Sequence, residues 1–215
     1  FIDSILGISS YNIRAVDIPL DKEKEFLEHC SDSHQIKSCT SFYEAQALMT
    51  GKKGGTNSVI IRAVDPLVHV QDEGFNKEVK MLNRKFKLSD RNSIILGSTL
   101  ARNLGVRTGD EVNLLLLSGG SDVELFSSDR LFTVTGTFTC GYQEINASYA
   151  FINLEEGPEY FGASAKKIWG IKLKNYKKDD SEISRLEKLI PKAEFESWRN
   201  YNKSFFGALR IEKNM

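Results

Sequence analysis

The sequence predicts an α+β fold in which a discontinuous α/β subdomain carries an inserted β-rich subdomain. Residues 1–65 and 167–215 both show the order strand, helix, strand, which is the pattern of one subdomain built from two parts of the chain. Strand patterns dominate residues 66–166 between them. The first boundary is predicted at Asp65-Pro66, where a strand pattern ends and a charged stretch begins. A chain of 215 residues is long enough for this division.

The first part of the chain predicts strands, one helix and a hairpin turn. The predicted strands are 11–16, 36–49 and 58–64. A helix is predicted over 20–30, with Leu20, Phe26 and Leu27 on its apolar face. The segment 51–57 is rich in glycine and lysine, but a phosphate-binding loop needs the order GxxxxGK[ST] between a strand and a helix. A second strand follows instead, so the segment predicts a hairpin connection.

The middle of the chain has the pattern of a β-rich subdomain. Its predicted strands are 93–96, 111–117, 131–138 and 148–154. Short helices are predicted over 97–104 and 155–161. The turn glycines Gly105, Gly109 and Gly141 are expected to adopt positive φ rather than to take part in catalysis.

The last part of the chain returns to the opening pattern, with strands over 168–174 and 195–198. The helix predicted over 180–190 is expected to bury Ile183, Leu186, Leu189 and Ile190. The apolar face of the closing helix consists of Tyr201, Phe205, Ala208 and Leu209. This helix lacks a C-cap, and the opening helical face of Phe1 and Ile5 lacks an N-cap. The native chain is therefore expected to continue beyond Phe1 and Met215.

Charge and motif content argue against two broad classes of function. Lys and Arg number 29 and are balanced by 29 Asp and Glu, so the bulk charge gives no sign of nucleic-acid binding. The sequence has no HExxH, GxSxG or GxGxxG motif, and His29, His34 and His69 fall on unlike elements. Adjacent acidic pairs do not share a face in regular structure, so they are interpreted as solvated surface. We expect no catalytic residue, no metal and no cofactor.

Three cysteines, Cys30, Cys39 and Cys140, are too few for a disulfide scaffold and have no metal-ligand spacing. They are interpreted as ordinary free thiols. Cys30 and Cys39 lie close in sequence across a predicted helix-to-strand turn, which leaves a disulfide open in an oxidising compartment. No apolar run reaches the roughly 18 residues that a membrane span needs.

Five blocks of sequence carry a resemblance to a known family. They are 1–7 (F…ILG), 62–66 (RAVDP), 94–97 with 100–106 and 109–110 (IILG…LARNLGV…GD), 131–138 (LFTVTGTF), and 198–199 with 205–215 (WR…FFGALRIEKNM). The last block, joined to the Gly109-Asp110 turn, is the most specific. With these blocks the chain resembles, nearly end to end, the extracytoplasmic domain of the LolC/LolE family, the permease subunits of the bacterial lipoprotein-releasing ABC transporter.

The resemblance implies a domain on the periplasmic face of the bacterial inner membrane, with Phe1 after a first span and Met215 before a second. Its α/β subdomain would be membrane-proximal and its β-rich subdomain further out, as in the related MacB-like permeases. A separate cytoplasmic ATPase subunit would hydrolyse ATP. The expected partners are a LolA-like periplasmic chaperone, lipoprotein cargo and a sister permease subunit, in a full-length protein anchored in the membrane.

The resemblance also implies a hook-like loop that binds the chaperone, at residues 118–129. Partner contact is expected from Val123, Glu124, Leu125 and Phe126, with Arg130 as a neighbouring basic pad. Apolar residues in a long polar loop favour binding, whereas alternation of Val123 and Leu125 is equally typical of a strand that packs inward. Family hooks are flanked by proline, and this loop has none, so a LolE-like role or a single dual-purpose permease stays open.

The two ends of the chain are expected to couple the domain to the membrane spans. The predicted coupling residues are Phe1, Ile5, Trp198, Phe205, Leu209 and Arg210. Two other functions remain open on the sequence: the periplasmic domain of a MacB-like efflux permease that engages an adaptor protein, and a free-standing binding protein.

Overall fold

The computed structural model describes residues 5–83, 85–88, 90–116, 130–162 and 165–203. These residues divide into two compact units. One unit lies within 42–165, and the other combines the described parts of 2–41 and 166–215. Helices and strands occur in both units, so the predicted α+β class is confirmed.

The strands are, in chain order, β1 (Ile13–Val16), β2 (Ile36–Gly51), β3 (Thr56–Val64), β4 (Lys80–Met81), β5 (Ser93–Gly97), β6 (Glu111–Leu116), β7 (Arg130–Thr139), β8 (Tyr149–Asn153), β9 (Ile168–Leu173) and β10 (Glu194–Ser197). The α-helices are α1 (Glu23–Asp32), α2 (Val68–Gln71), α3 (Glu73–Glu78), α4 (Ser98–Leu104), α5 (Gln143–Ser148), α6 (Gly157–Phe161), α7 (Asp179–Leu189) and α8 (Trp198–Tyr201). Residues Ile5–Ser9 form a π-helical turn, and 3₁₀ turns cover Leu20–Lys22, Leu154–Glu156 and Tyr176–Lys178.

The middle unit is built on a closed ring of strands in the order β2, β3, β8, β5, β7, β6, in which β6 pairs back with β2. The pairs β3/β8 and β5/β7 are parallel, and the other pairs are antiparallel. A closed ring leaves no exposed sheet edge among its members. The residues of its core cluster alternate along the strands, as a barrel interior requires, and include Met49, Ile61, Leu96, Val112, Phe132 and Ile152.

The second unit joins β10, β1 and β9 in antiparallel pairing. Its core brings together Ile13, Phe26, Trp169, Ile171, Leu186 and Ile190. The predicted inward face of α7 is confirmed, because Leu186 and Ile190 are buried while Ile183 and Leu189 pack against the same core. These contacts hold α1 and α7 against the sheet.

The predicted apolar face of the first helix is wrong in two of its three members. Leu20 is 88% exposed and Leu27 is 37% exposed, whereas Phe26 is fully buried. The reason is that Leu20 lies in the 3₁₀ turn before α1, and the buried stripe of α1 runs from Phe26 to Cys30, one helical turn apart. Leu27 is about 100° around the helix from Phe26 and therefore points away from that stripe.

The first boundary between the compact units falls at 41/42, not at Asp65-Pro66, because β2 and β3 supply two strands of the ring. The second boundary falls at 165/166, one residue from the expected position. The charged stretch after Asp65-Pro66 contains α2 and α3, which the sequence did not predict. Gly105 and Gly109 have the expected positive φ, but the expectation for Gly141 is wrong.

Candidate functional site

Arg130, at the start of β7, is the described member of the predicted partner-contact set. Its guanidinium lies over the ring of Tyr160, 4.1 Å from the centroid, and its Nη1 is 3.8 Å from Oε1 of Glu159. The cation is therefore held by an aromatic face and a carboxylate from α6. The other four predicted contact residues, Val123, Glu124, Leu125 and Phe126, lie outside the described residues.

Tyr160 connects Arg130 to the interior of the closed ring of strands. The phenol ring of Tyr160 packs edge-on against the Phe132 ring, with the centroids 4.9 Å apart. Its hydroxyl donates to Oδ1 of Asn92. Oε1 of Glu156 accepts a hydrogen bond from the backbone N–H of Asn92 at 2.6 Å. These bonds fix the start of β5, the start of β7 and helix α6 relative to one another.

The local sequence explains how Glu156 and Tyr160 reach the same place. The side chain of Asn153 caps the 3₁₀ turn by accepting from the N–H of Glu155 at 3.0 Å. Helix α6 follows that turn without a break, and Glu156 and Tyr160 are four residues apart, so they share one helical face. Asn92 adopts φ 57°, a conformation that asparagine tolerates better than most residues.

Glu156 is the electrostatically unusual member of this group. Burial raises the pKa of its carboxyl above the ordinary value of 4.5, while the Asn92 hydrogen bond and the charge of Arg91 offset part of the rise. Its Oε2 is buried and accepts no hydrogen bond from the part of the chain that the structure describes. Burial likewise raises the pKa of Tyr160. A charged carboxylate at this position is therefore held at a cost to the folded state.

We expect Glu156→Gln to gain stability relative to the unchanged protein as the pH rises from about 4 to about 7. Because its pKa is raised in the folded state, Glu156 contributes stability that is complete below about pH 4.5 and is lost as the pH rises through the raised pKa. Glutamine does not titrate, so this loss disappears. The measurement is the difference in urea midpoint between the two proteins across that pH range.

Glu155→Gln is the matched control, because Glu155 is the exposed neighbour of Glu156. Its difference in urea midpoint from the unchanged protein should stay nearly constant over the same range. If the two variants give parallel curves, the buried carboxyl is not the source of the pH dependence.

The surface beside Arg130 contains residues that the sequence reasoning missed. Leu131 is 57% exposed, and the exposed Arg91 pairs with the same Glu159 carboxylate that faces Arg130. The face therefore combines two cations, one shared anion and one apolar side chain. Alternation along β7 gives a signal for Leu131, since Phe132 points inward and its neighbour must point outward. No sequence pattern indicates that Arg91 lies beside Arg130.

The described ends of the chain meet in the second unit. Ile5 and Trp198, both predicted coupling residues, are buried, and the backbone N–H of Trp198 donates to the carbonyl of Asn12 at 2.9 Å. Arg14 donates to the carbonyls of Ser9 and Ser10, and its guanidinium lies 3.7 Å from the ring centroid of Tyr201 in α8. One buried cation thus contacts both the opening turn and the closing helix.

A second set of contacts anchors the start of α8. Asp179, fully buried at the start of α7, accepts hydrogen bonds from Oγ of Ser197 and from the guanidinium of Arg199. Lys172 donates to the carbonyl of Gly7 at 2.6 Å, which ties β9 to the opening turn. Between residues 5 and 203, apart from the gaps stated above, no helix is long and apolar enough to cross a membrane. The other coupling candidates, Phe1, Phe205, Leu209 and Arg210, lie outside the described residues.

Comparisons with known proteins agree with the resemblance predicted from the sequence. The chain is 29% identical to the lipoprotein-releasing system transmembrane protein LolC of Haemophilus influenzae, over 98% of this chain and 52% of that protein. It is 25% identical to LolC of Xylella fastidiosa strain Temecula1, over 99% of this chain and 52% of that protein. The predicted resemblance to LolC is confirmed over nearly the whole chain. The chain spans about half the length of these curated relatives.

A solved structure bears on the fold alone. The periplasmic region of MacB from Actinobacillus actinomycetemcomitans superposes with a TM-score of 0.52 at 12% identity, covering 94% of this chain and 95% of that one. No family model matches the chain. The MacB comparison therefore supports the mixed α+β architecture and carries no information on substrate or partner.

Proposed function

We propose that this chain, which resembles LolC over nearly its whole length, is the periplasmic domain of an ABC transporter permease that extracts lipoproteins from the inner membrane. In this proposal the domain hands the lipoprotein to a LolA-like periplasmic chaperone. The similarity to LolC, which covers 98% of the chain, is the observation that carries the proposal. A separate cytoplasmic subunit hydrolyses ATP, and a sister permease subunit completes the transporter.

The proposed division of labour follows the two units. The middle unit presents the chaperone-binding surface, made of the segment 118–129 together with Arg130 and Leu131 at the start of β7. The second unit holds the turn Ile5–Ser9 and helix α8, the described segments nearest in sequence to the two proposed spans. In this proposal the domain binds its partners and moves, and it carries out no chemical step.

The chemistry of the Arg130 surface supports chaperone docking. Arginine is enriched at binding hot spots, and Leu131 adds an exposed apolar side chain beside Arg130. Arg130 is held in place by the Tyr160 ring, so little side-chain freedom remains to be lost when a partner binds. Arg91 adds a second cation beside it, and both arginines face Glu159. A chaperone that presents an acidic rim around an apolar groove would complement this surface.

The hook assignment predicts that Phe126→Asp weakens binding of a LolA-like chaperone to this chain by about 30-fold or more, which corresponds to about 2 kcal/mol at a hot-spot aromatic. A buried aspartate at the centre of an apolar contact would lose its hydration without gaining a partner. Binding is measured by calorimetry with the purified chaperone at constant ionic strength.

Leu20→Asp is the matched control, since Leu20 is 88% exposed and belongs to the other unit. It adds the same charge and should leave chaperone affinity unchanged. Equal affinities for Phe126→Asp and the unchanged protein would exclude the hook while leaving the permease assignment to be judged separately. A parallel pull-down with the chaperone and with a periplasmic adaptor protein separates lipoprotein transfer from MacB-like efflux, because retention of the adaptor alone would favour efflux.

A further inference from the structure

Cys30 and Cys39 are brought together by a tight turn in the second unit. Cys30 lies in the last turns of α1, and Cys39 lies near the start of β2. Between them, the N–H of Ser33 donates to the carbonyl of His29 at 2.9 Å, and the N–H of Ile36 donates to the carbonyl of Ser33 at 3.2 Å. The chain therefore reverses within a few residues, and the strand returns beside the helix that precedes it.

The two thiols meet at the edge of one apolar core. Cys30 is buried in the cluster that contains Phe26 and Trp169, and Cys39 packs against the same cluster while keeping partial exposure. Both cysteines are free, and Cys30 lies near enough to raise the pKa of the Cys39 thiol. Two thiols that share one apolar core across a short turn are well placed to reach disulfide geometry.

We propose that Cys30 and Cys39 form an intramolecular disulfide by exchange with a low-molecular-weight or protein disulfide. The site is a thiol-modification site that joins the end of α1 to the start of β2. This inference concerns the second unit alone and does not depend on the proposed transport function.

The exchange takes place in two steps that balance in atoms and electrons. The Cys39 thiolate, which is the more exposed of the two, attacks one sulfur of the oxidant disulfide and releases one oxidant thiolate. Deprotonated Cys30 then attacks the Cys39 sulfur of the mixed disulfide and releases the second thiolate. Two protein thiols are oxidised to one disulfide, the oxidant disulfide is reduced to two thiols, and the two protein protons pass to the released thiolates.

The environment of Cys39 sets the conditions of the reaction. The interaction with Cys30 and, next, burial raise the pKa of the Cys39 thiol well above its ordinary value. Its thiolate is therefore scarce at neutral pH, and the exchange should be faster at about pH 8.5 than at about pH 7. The disulfide should also raise the urea midpoint of the second unit, because it shortens the loop that the unfolded chain can explore.

Cys140 provides an internal control for the chemistry. It belongs to the middle unit, where its thiol donates to the carbonyl of Tyr142 at 3.3 Å. Neither of the other two cysteines in the sequence lies in that unit. It should stay available to an alkylating reagent in the unfolded chain under every oxidising condition that closes the Cys30–Cys39 bond.

The experiment incubates the reduced protein with oxidised glutathione at pH 8.5, quenches it in acid, and alkylates it with a maleimide in denaturant. Of the three cysteines, the unchanged protein should then bind one maleimide, at Cys140, and its mass before labelling should fall by two hydrogen atoms. Cys140→Ser should bind none. Cys39→Ser should show no loss of two hydrogen atoms, and peptide mapping should find a Cys30–Cys39 link only in proteins that retain both residues.

Unfolding in urea and refolding in the same glutathione buffer covers the case in which burial blocks the oxidant in the folded state. The proposal is overturned if all three cysteines still bind maleimide after this cycle, or if Cys39 ends as a stable glutathione adduct. Circular dichroism of Cys39→Ser should match the unchanged protein, so that loss of the link in the variant reflects the missing thiol and not a loss of fold.

Discussion

Glu44→Ala is expected to destabilise the middle unit by about 3–5 kcal/mol, the range found when one partner of a buried ion pair is removed. Arg62 is fully buried in β3, and its Nε donates to Oε2 of Glu44 in β2 at 2.9 Å. Its guanidinium also lies 4.3 Å from the ring centroid of Phe42 and 5.4 Å from that of Tyr149. The aromatic faces stabilise the cation, but they do not replace the charge of the carboxylate.

The measurement is urea unfolding followed by circular dichroism, with tryptophan emission recorded in parallel. Both tryptophans of the chain, Trp169 and Trp198, belong to the second unit, so their emission reports on that unit alone. The change caused by Glu44→Ala should therefore be larger in the circular dichroism transition. Glu44→Ala combined with Arg62→Met should recover part of the loss, because an apolar side chain of similar length needs no counter-ion.

Glu111→Ala is the matched control in the same unit. Glu111 lies 3.9 Å from Nζ of Lys52, and the two side chains are 49% and 65% exposed. An exposed pair of this kind contributes about 0–1 kcal/mol, so the control should change the urea midpoint little. Equal effects from Glu44→Ala and Glu111→Ala would mean that the buried guanidinium does not require its carboxylate.

Insertion of two glycines after Ala208 is expected to abolish lipoprotein release by the proposed full-length transporter while ATP hydrolysis continues. The start of the closing segment is held firmly, by Arg14 stacked on Tyr201 and by Asp179 paired with Arg199. Glycine is a poor helix former, so the insertion should interrupt force transmission between this anchor and the proposed second span. Release to a chaperone and ATP hydrolysis are measured in the same proteoliposomes.

Two further variants separate coupling from folding. The same insertion between Gly54 and Gly55, in the hairpin turn of the middle unit, lengthens the chain equally and should leave release intact. Arg14→Met keeps the chain length but removes the cation that contacts both the opening turn and α8, and it should reduce release with ATP hydrolysis retained. Full release by the protein with glycines after Ala208 would exclude the closing segment as the coupling element.

Sequence patterns predicted the positions of most strands but not how the strands pair. Predicted strands in both units lie within one or two residues of the observed ones, because alternation and turn residues act locally. Local alternation and turn residues do not predict that the strands close into a ring. This closure depends on pairing Met49 with Leu114 and Thr50 with Asn113, contacts more than 60 residues apart that leave no periodic signal. The same hidden pairing assigns β3 and most of β2 to the middle unit and moves the first boundary.

The candidate site divides in the same way. Arg130 was named on the family resemblance, and its role in partner contact stays a prediction. Leu131 follows from strand alternation once Phe132 is placed inside. Tyr160 and Asn92 could not be found from sequence, because they meet only after β5, β7 and α6 have packed. Sequence patterns thus predict which residue enters a strand, whereas tertiary packing decides which neighbour holds it.

The pairing at the rim of the ring has a consequence for how such a protein can change over evolutionary time. Leu114 of β6 and Arg130 of β7 are cross-strand partners. The two strand ends that the intervening segment joins are therefore held at a fixed separation. Doubling the length of a loop with fixed ends costs only about 0.6 kcal/mol. Changes in the length of this segment should therefore cost the ring of strands little stability. In the proposed function, selection can then adjust partner choice while the scaffold stays unchanged.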